Sequence, residues 1–377
     1  MQLPLNILKK CPESGKIAMF YGFYPISPPM VRKSDLDITK NLDKEWRPSI
    51  KAALLREFYE GKTALSRLPQ PLMLWMDNRA TQSSAPTHKI ECSLSIVNSN
   101  KSVGEALCIQ AARAILENGE YKNITVRINS VGNRESVAEF ERKVASFVRK
   151  KFNEFPAELR QNLKKDPFFL AKTRDDKWKV LKENSPQSID CLSEESRIHF
   201  KEVLEFLEML EIPFILDSTL LGDLSYGAET VFEIISEDEV LGRGHCYNRL
   251  SKIIEQKKEM PAVEVFLSLK TSRLQKVSPV KDIKHKFYLV QFGPEAKMKS
   301  LTVLENLRKA GVPVFHSLAK DKLTGQIISA EQMNIPYIIL LGQKEAIDNC
   351  VTIRNTSTRS QTSVPIASLG EYIKTHL

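Results

Sequence analysis

The chain has no long apolar run. Nothing in its 377 residues approaches the ~18 consecutive apolar residues of a membrane helix. The opening stretch Met1 to Lys10 is too short in its apolar part for a secretory signal. Cysteine is sparse and unpaired in pattern: Cys11, Cys92, Cys108, Cys191, Cys246 and Cys350 are scattered, with no C-x-x-C. That sets aside a disulfide framework and a thiolate zinc site, and no metal site is expected. Internal repeats and low-complexity segments are also missing. These absences lead to the expectation of a soluble, intracellular, cytoplasmic protein with no membrane partner.

What is present is an ordinary globular composition, 42% hydrophobic and 27% charged, long enough for two or three domains. A net charge of +9 and a pI near 9.1 suit an anionic partner such as tRNA or another nucleic acid. They equally suit a lysine-rich solvated surface.

The spacing of apolar residues predicts a helix ending near Tyr21-Gly22, then an extended segment into Pro28-Pro29. Ile50, Leu54, Leu55 and Phe58 predict a helix over 48–60 stopped by Gly61. Residues 70–98 read as two strands around a polar turn from Asn78 to His88, followed by a helix over 101–118 and a strand over 124–132. Residues 135–211 read as a helical insertion punctuated by Pro156, Pro167 and Pro186. Strands return at Phe214–Leu216, Thr230–Ile235 and Val263–Leu269, and Ser272–His285 reads as a linker. Beyond it, strands at 287–292, 312–317, 336–341 and 349–354 alternate with helices at 296–310, 324–333 and 366–376. Such alternation predicts a small α/β domain.

Five stretches carry a family resemblance. The segment Asp217-Ser-Thr-Leu-Leu-Gly-Asp-Leu-Ser-Tyr-Gly-Ala-Glu-Thr-Val-Phe-Glu-Ile234 resembles the histidine-binding segment of histidyl-tRNA synthetases, L-V-R-G-L-D-Y-Y-x-x-T-x-F-E. Tyr226, Thr230, Phe232 and Glu233 fall in register, while the family's Arg and Asp fall on Gly222 and Ser225. Arg127-Ile-Asn-Ser-Val-Gly132 resembles the family's I-N-S-x-G, and Tyr21-Gly-Phe-Tyr-Pro-Ile-Ser-Pro-Pro29 its motif 1. Glu305-Asn-Leu-Arg-Lys-Ala-Gly311 and Ala330-Glu-Gln-Met-Asn-Ile-Pro336 are similar to the anticodon-binding domain of the class II synthetases for His, Gly, Thr and Pro. Asn334 stands where that pattern has Gly, and Asn tolerates the left-handed conformation of a helix end.

The resemblance implies an α/β (α+β) protein and a homodimer. It implies a class II antiparallel-sheet core over residues 1–280 with the insertion at about 135–211, then an anticodon-binding-like domain over 284–377. That last stretch carries twelve Lys/Arg against seven Asp/Glu, a surplus suited to phosphate contacts, with Lys322, Arg354 and Arg359 as the expected tRNA-binding residues.

Aminoacylation joins the amino acid to ATP with Mg²⁺, and its transition state needs guanidinium groups placed in advance around the α-phosphorus. The motif 2 region, Leu72 to Ser93, offers only Arg79, and the Glu expected two residues later is Thr81. Arg67-Leu-Pro-Gln70 echoes a substrate-contacting R-P-E, with Gln70 in place of the carboxylate. Motif 3 falls on Pro261 to Leu274, where the Arg position is Thr271 unless a two-residue shift brings in Arg273. Leu241-Gly-Arg-Gly-His-Cys-Tyr-Asn-Arg-Leu250 resembles the family's G-G-R-Y-D-x-L turn, whose glycines let backbone approach a ligand or simply form a hairpin. Arg79 and Arg273 are thus the candidate catalytic residues. Gln70, Tyr226, Thr230, Glu233, Gly242, Arg243 and Gly244 are the candidate substrate contacts. One missing oxyanion-type donor costs about 10²–10³ in rate, and two or three such charges are altered together.

Three functions are compatible with these residues. The first is a synthetase-like tRNA-binding protein without histidine activation, needing no cofactor. The second is a divergent active ligase using ATP and Mg²⁺ to form histidyl-tRNA. The third, a regulatory subunit of histidine biosynthesis, usually lacks the C-terminal domain.

Overall fold

A computed structural model of the chain describes residues 8, 10–61, 70–77, 90–254, 259–270, 278–279, 286–316, 318 and 322–377. Its strands are β1 (Lys10–Cys11), β2 (Tyr24–Ile26), β3 (Leu72–Asp77), β4 (Ile90–Val97), β5 (Thr125–Gly132), β6 (Phe214–Leu216), β7 (Ala228–Ser236), β8 (Glu239–Cys246), β9 (Ala262–Leu269) and β10 (Ser278–Pro279), then β11 (Phe287–Gln291), β12 (Val314–His316), β13 (Tyr337–Leu341), β14 (Cys350–Asn355) and β15 (Gln361–Pro365).

Eight strands form one sheet in the order β2-β3-β4-β9-β8-β7-β5-β6. Pairing is antiparallel except at the edges, where β2–β3 and β5–β6 run parallel. Alternation along these strands decides what each face does. Leu94, Val265, Leu267, Phe232, Ile234 and Ile128 point to one side and, with the helices Ser102–Asn118 and Glu194–Met209, form the larger core. The other face carries Ser93, Ser95, Glu264, Phe266, Arg243, His245 and Glu233, cross-strand neighbours in register. Toward β3 the same face turns apolar, Leu72, Leu74 and Met76 packing with Leu54 and Leu55 of the helix Pro48–Glu60 in a second core, so the polar groups of this site face sit at the margin of that core.

Residues Leu241 to Cys246, read from the sequence as a turn, lie inside β8. The physical reason is packing. A Cβ on Gly244 would stand 2.2 Å from the ring of Phe232, and one on Gly242 would stand 2.7 Å from Leu267. Both glycines therefore make room for core side chains on the face opposite Glu233.

The helical insertion begins with Asn133, whose side chain accepts from the Ser136 amide, and its first helix, Arg134–Lys151, ends in Arg149, Lys150 and Lys151. Val137 and Phe140 dock it on the sheet, while Phe155, Leu159, Leu163, Leu170 and Trp178 make a small core of its own.

The second sheet has the order β12-β11-β13-β14-β15, parallel across its first three strands and antiparallel beyond. Its helices are Pro294–Lys309, Leu323–Gln332, Gln343–Ile347 and Leu369–His376. Asn334 has φ of 51°, the left-handed helix end its residue type allows. Strand β15 and the helix Gln343–Ile347 were not foreseen, being too short for a clear period. This body is seated on the large sheet's helices. Gln110 Nε2 donates to the Leu301 carbonyl at 3.1 Å, Tyr21 donates its phenol to Glu305, and His316 Nε2 meets the Tyr21 carbonyl at 2.9 Å. Burial takes the His316 imidazole down to about 4. Among the described residues no helix is long and apolar enough to cross a membrane.

Candidate functional site

Two layers of polar side chains cross the site face. The first is built on Glu233, from the middle of β7, whose side chain is only 4% exposed. Arg243, its cross-strand neighbour on β8, approaches through Nε at 3.2 Å. Arg127, its neighbour on β5, stands at 3.6 Å. Arg174 arrives from the helical insertion and reaches Glu233 at 2.9 Å and Asp217 at 3.1 Å, its Nε donating to Thr219. Three guanidinium groups thus converge on one buried carboxylate. Farther along, Arg47 lies 4.0 Å over the Phe266 ring and 3.6 Å from Glu91. Arg47 has φ of 50° and precedes the helix Pro48–Glu60.

The second layer centres on Glu264 of β9. Lys51, on the first turns of the helix Pro48–Glu60, reaches it at 2.8 Å and donates to the Trp46 carbonyl at 2.5 Å. Ser95 donates to the other Glu264 oxygen at 2.9 Å. His245 stands beside them, its ring edge-on to Trp46 at 4.7 Å and to Tyr226 at 5.4 Å. Tyr226 and His245 are buried, and among the described residues neither the Tyr226 hydroxyl nor either His245 nitrogen has a hydrogen-bond partner. Burial, with the Lys51 charge beside it, holds His245 neutral at physiological pH, and burial pushes the Tyr226 phenol up. Burial also lowers Lys51, against the pull of Glu264.

The structure thus brings Glu233, Arg243 and Tyr226 onto this face. Thr230 is fully buried, with no hydrogen-bond partner for its hydroxyl among the described residues. Gly222, where the resemblance places an arginine, has φ of 62°, and a Cβ there would meet Val231 at 3.5 Å and Trp46 at 4.0 Å. Gln70 is not brought to the cluster: it accepts from Asn98 and borders a narrow apolar slot with Tyr24, Tyr288 and His316 between the two sheets' bodies. Gly242 and Gly244 turn toward the core, as described above. Arg79 and Arg273 lie outside the described residues. Arg354 sits on β14 and Arg359 in the turn that follows it, with φ of 60°, while Lys322 is exposed just before the helix Leu323–Gln332.

Arg47, Lys51, Glu91, Arg127, Arg174 and Glu264 were missed in the sequence. A signal existed for Glu264: an acid inside the apolar strand Ala262–Leu269 needs a buried partner. Nothing local marked Arg174, which lies in sequence some 60 residues before Glu233 and meets it only through the fold.

The opposite face holds a second polar recess of about 200 Å³, bordered by Ser99, Asn100, Glu105, His199, Glu229 and Asn248. There His199 and Glu105 form an ion pair at 2.5 Å. Burial alone would lower this imidazole, but the Glu105 charge and hydrogen bond outweigh it and raise it to about 9.

Residues 286–376 match the protein family described as the anticodon binding domain. Over 346 residues the chain is 27% identical to the histidine–tRNA ligase of Geobacillus sp. (strain WCH70), covering 88% of this chain and 81% of that protein. It is 27% identical over 344 residues to the histidine–tRNA ligase of Bacillus cytotoxicus, covering 87% and 80%. In fold it is similar to apo histidyl-tRNA synthetase of S. aureus, with a TM-score of 0.52 at 20% identity over 95% of this chain and 93% of that one. A mixed, mainly antiparallel sheet with a C-terminal anticodon-binding domain matches class II synthetase structures, and the sequence and fold similarities together support membership of the histidyl-tRNA synthetase family.

Proposed function

We propose that this member of the family binds tRNA through its C-terminal domain and does not activate histidine. The observation that carries this reading is the commitment of the arginines on the site face. Activation needs guanidinium groups free to meet phosphate oxygens. Arg127, Arg174 and Arg243 are instead gathered on Glu233, and Arg47 on Glu91. The carboxylates are equally engaged, Glu264 by Lys51 and Ser95. Among the described residues no group of three or more His, Cys, Asp or Glu side chains is arranged to hold a metal ion. Among the described residues, the arginines of the site face are thus already paired with carboxylates, which is a poor fit for the phosphates of ATP.

The same reading divides the chain into a synthetase-like core to about residue 280 and a tRNA-binding domain from about 284. Lys322, Arg354 and Arg359 are its phosphate contacts, and the protein works as a cytoplasmic homodimer. The alternative, a divergent ligase, would rest on Arg79 and Arg273.

Two assays on the intact chain separate them. ATP–pyrophosphate exchange is expected to show no histidine dependence, whereas tRNA binding is expected to weaken steeply between 50 and 200 mM salt, as counterion release requires. Histidine-dependent exchange would overturn the proposal. So would tRNA affinity indifferent to salt and to Arg354→Ala with Arg359→Ala.

A further inference from the structure

The second layer of the site face has the form of a cradle for one primary ammonium group. Its walls come from the sheet and from the segment ahead of β7: Glu264 from β9, Ser95 from β4, His245 from β8, and Tyr226. Its occupant comes from elsewhere. Lys51 belongs to the helix Pro48–Glu60, and only its side chain enters, placing Nζ 2.8 Å from Glu264, 2.5 Å from the Trp46 carbonyl and 5.5 Å from the centre of the Tyr247 ring.

A carboxylate, a carbonyl and an aromatic ring are the partners that recognise an alkylammonium ion. Glu264 is itself held by Ser95, so the acceptor is oriented before the cation arrives. The buried Tyr226 hydroxyl and His245 nitrogens, which have no hydrogen-bond partner among the described residues, add polar groups beyond those that Lys51 needs. Buried polar groups are rarely left unpaired without a functional cause.

We infer that this cradle is a binding site for a small primary alkylammonium ion, and that Lys51 is its resident occupant, closing it to free amines and amino acids. The inference rests on the proposal that histidine is not activated, and it names what keeps the pocket shut. A site face that retained its acceptors but acquired an internal cation would lose its ligand without losing its shape.

Lys51→Ala removes a fragment the size of n-propylammonium. Thermal unfolding of this variant of the full chain is expected to start lower than that of the native chain. Millimolar n-propylammonium is then expected to raise its midpoint by about 2–4 °C. Methylammonium should do less, as should n-hexylammonium, 1-propanol and an equal concentration of NaCl. The native chain should show no such response, and adding Glu264→Gln to Lys51→Ala should abolish it. An equal amine response in the native chain, or one that survives Glu264→Gln, would overturn the inference. Should Lys51→Ala fail to fold, acetylation of native protein followed by mass spectrometry decides. Lys51 is expected to react at least 100-fold more slowly than Lys150 or Lys165, and modification at the surface rate would overturn the seated ammonium. The exchange assay on the native chain reports separately on the underlying reading. If exchange is absent while the variant ignores amines, the reading stands and the cradle falls.

Discussion

Glu233→Gln tests whether the arginines of the site face are truly spoken for. The native carboxylate is 4% exposed and has guanidinium nitrogens at 2.9, 3.2 and 3.6 Å. Breaking a buried ion pair by removing one partner costs roughly 3–5 kcal/mol, because the remaining charge is stranded. Here the stranded groups are partly in solvent, Arg127, Arg243 and Arg174 being 23%, 38% and 45% exposed. They can turn toward water, which reduces the expected loss to about 2–3 kcal/mol. Urea unfolding, followed by near-UV circular dichroism for the large sheet, measures it. A second readout follows from the same geometry. Released from Glu233, the three arginines become a polyanion site, so affinity for inorganic triphosphate should rise about tenfold in the variant and fall with added salt. A stability loss under about 0.5 kcal/mol, together with unchanged triphosphate affinity, would refute the claim that Glu233 sequesters these arginines.

Placing at Gly222 the arginine that the resemblance puts there should not confer histidine-dependent exchange. Gly222→Arg places a side chain on a backbone with φ of 62°, at a cost of about 1–2 kcal/mol, and a gain in histidine-dependent exchange would contradict this. The His199–Glu105 pair makes stability fall in alkali. An imidazole raised from 6.5 to about 9 contributes on the order of 3 kcal/mol. That contribution is complete below pH 6.5 and is lost as pH climbs through 9. Urea midpoints at pH 6.5, 8 and 9.5 should show the decline, and Glu105→Gln should flatten it.

Much of the fold was legible because its periods are strong. The helix Pro48–Glu60 with Gly61 at φ of 60°, the helix Ser102–Asn118 and the strand Thr125–Gly132 fall within a residue or two of the pattern read from the sequence. Strand β8 was obscured because its glycines, normally punctuation, serve here to admit Phe232 and Leu267. At the site, Glu233 and Arg243 were legible because they sit in register with a known segment. Lys51 and Arg174 were not: their meaning lies in contacts bridging more than 200 and about 60 residues, and local composition says nothing of the partner. The altered arginine at Gly222 reads in sequence as a simple deletion of function. In the fold, a Cβ there would meet only ordinary contacts with Val231 and Trp46, and the constraint on the position is its left-handed backbone, with φ of 62°.

Arg174 also acts as a latch. It joins the short helices Phe169–Lys172 and Lys179–Glu183 to the floor of the large sheet through two ion pairs and a hydroxyl. Arg174 is 45% exposed, so each of these ion pairs is worth at most about 1 kcal/mol, and together they tie the helices to the sheet by roughly 2 kcal/mol or less.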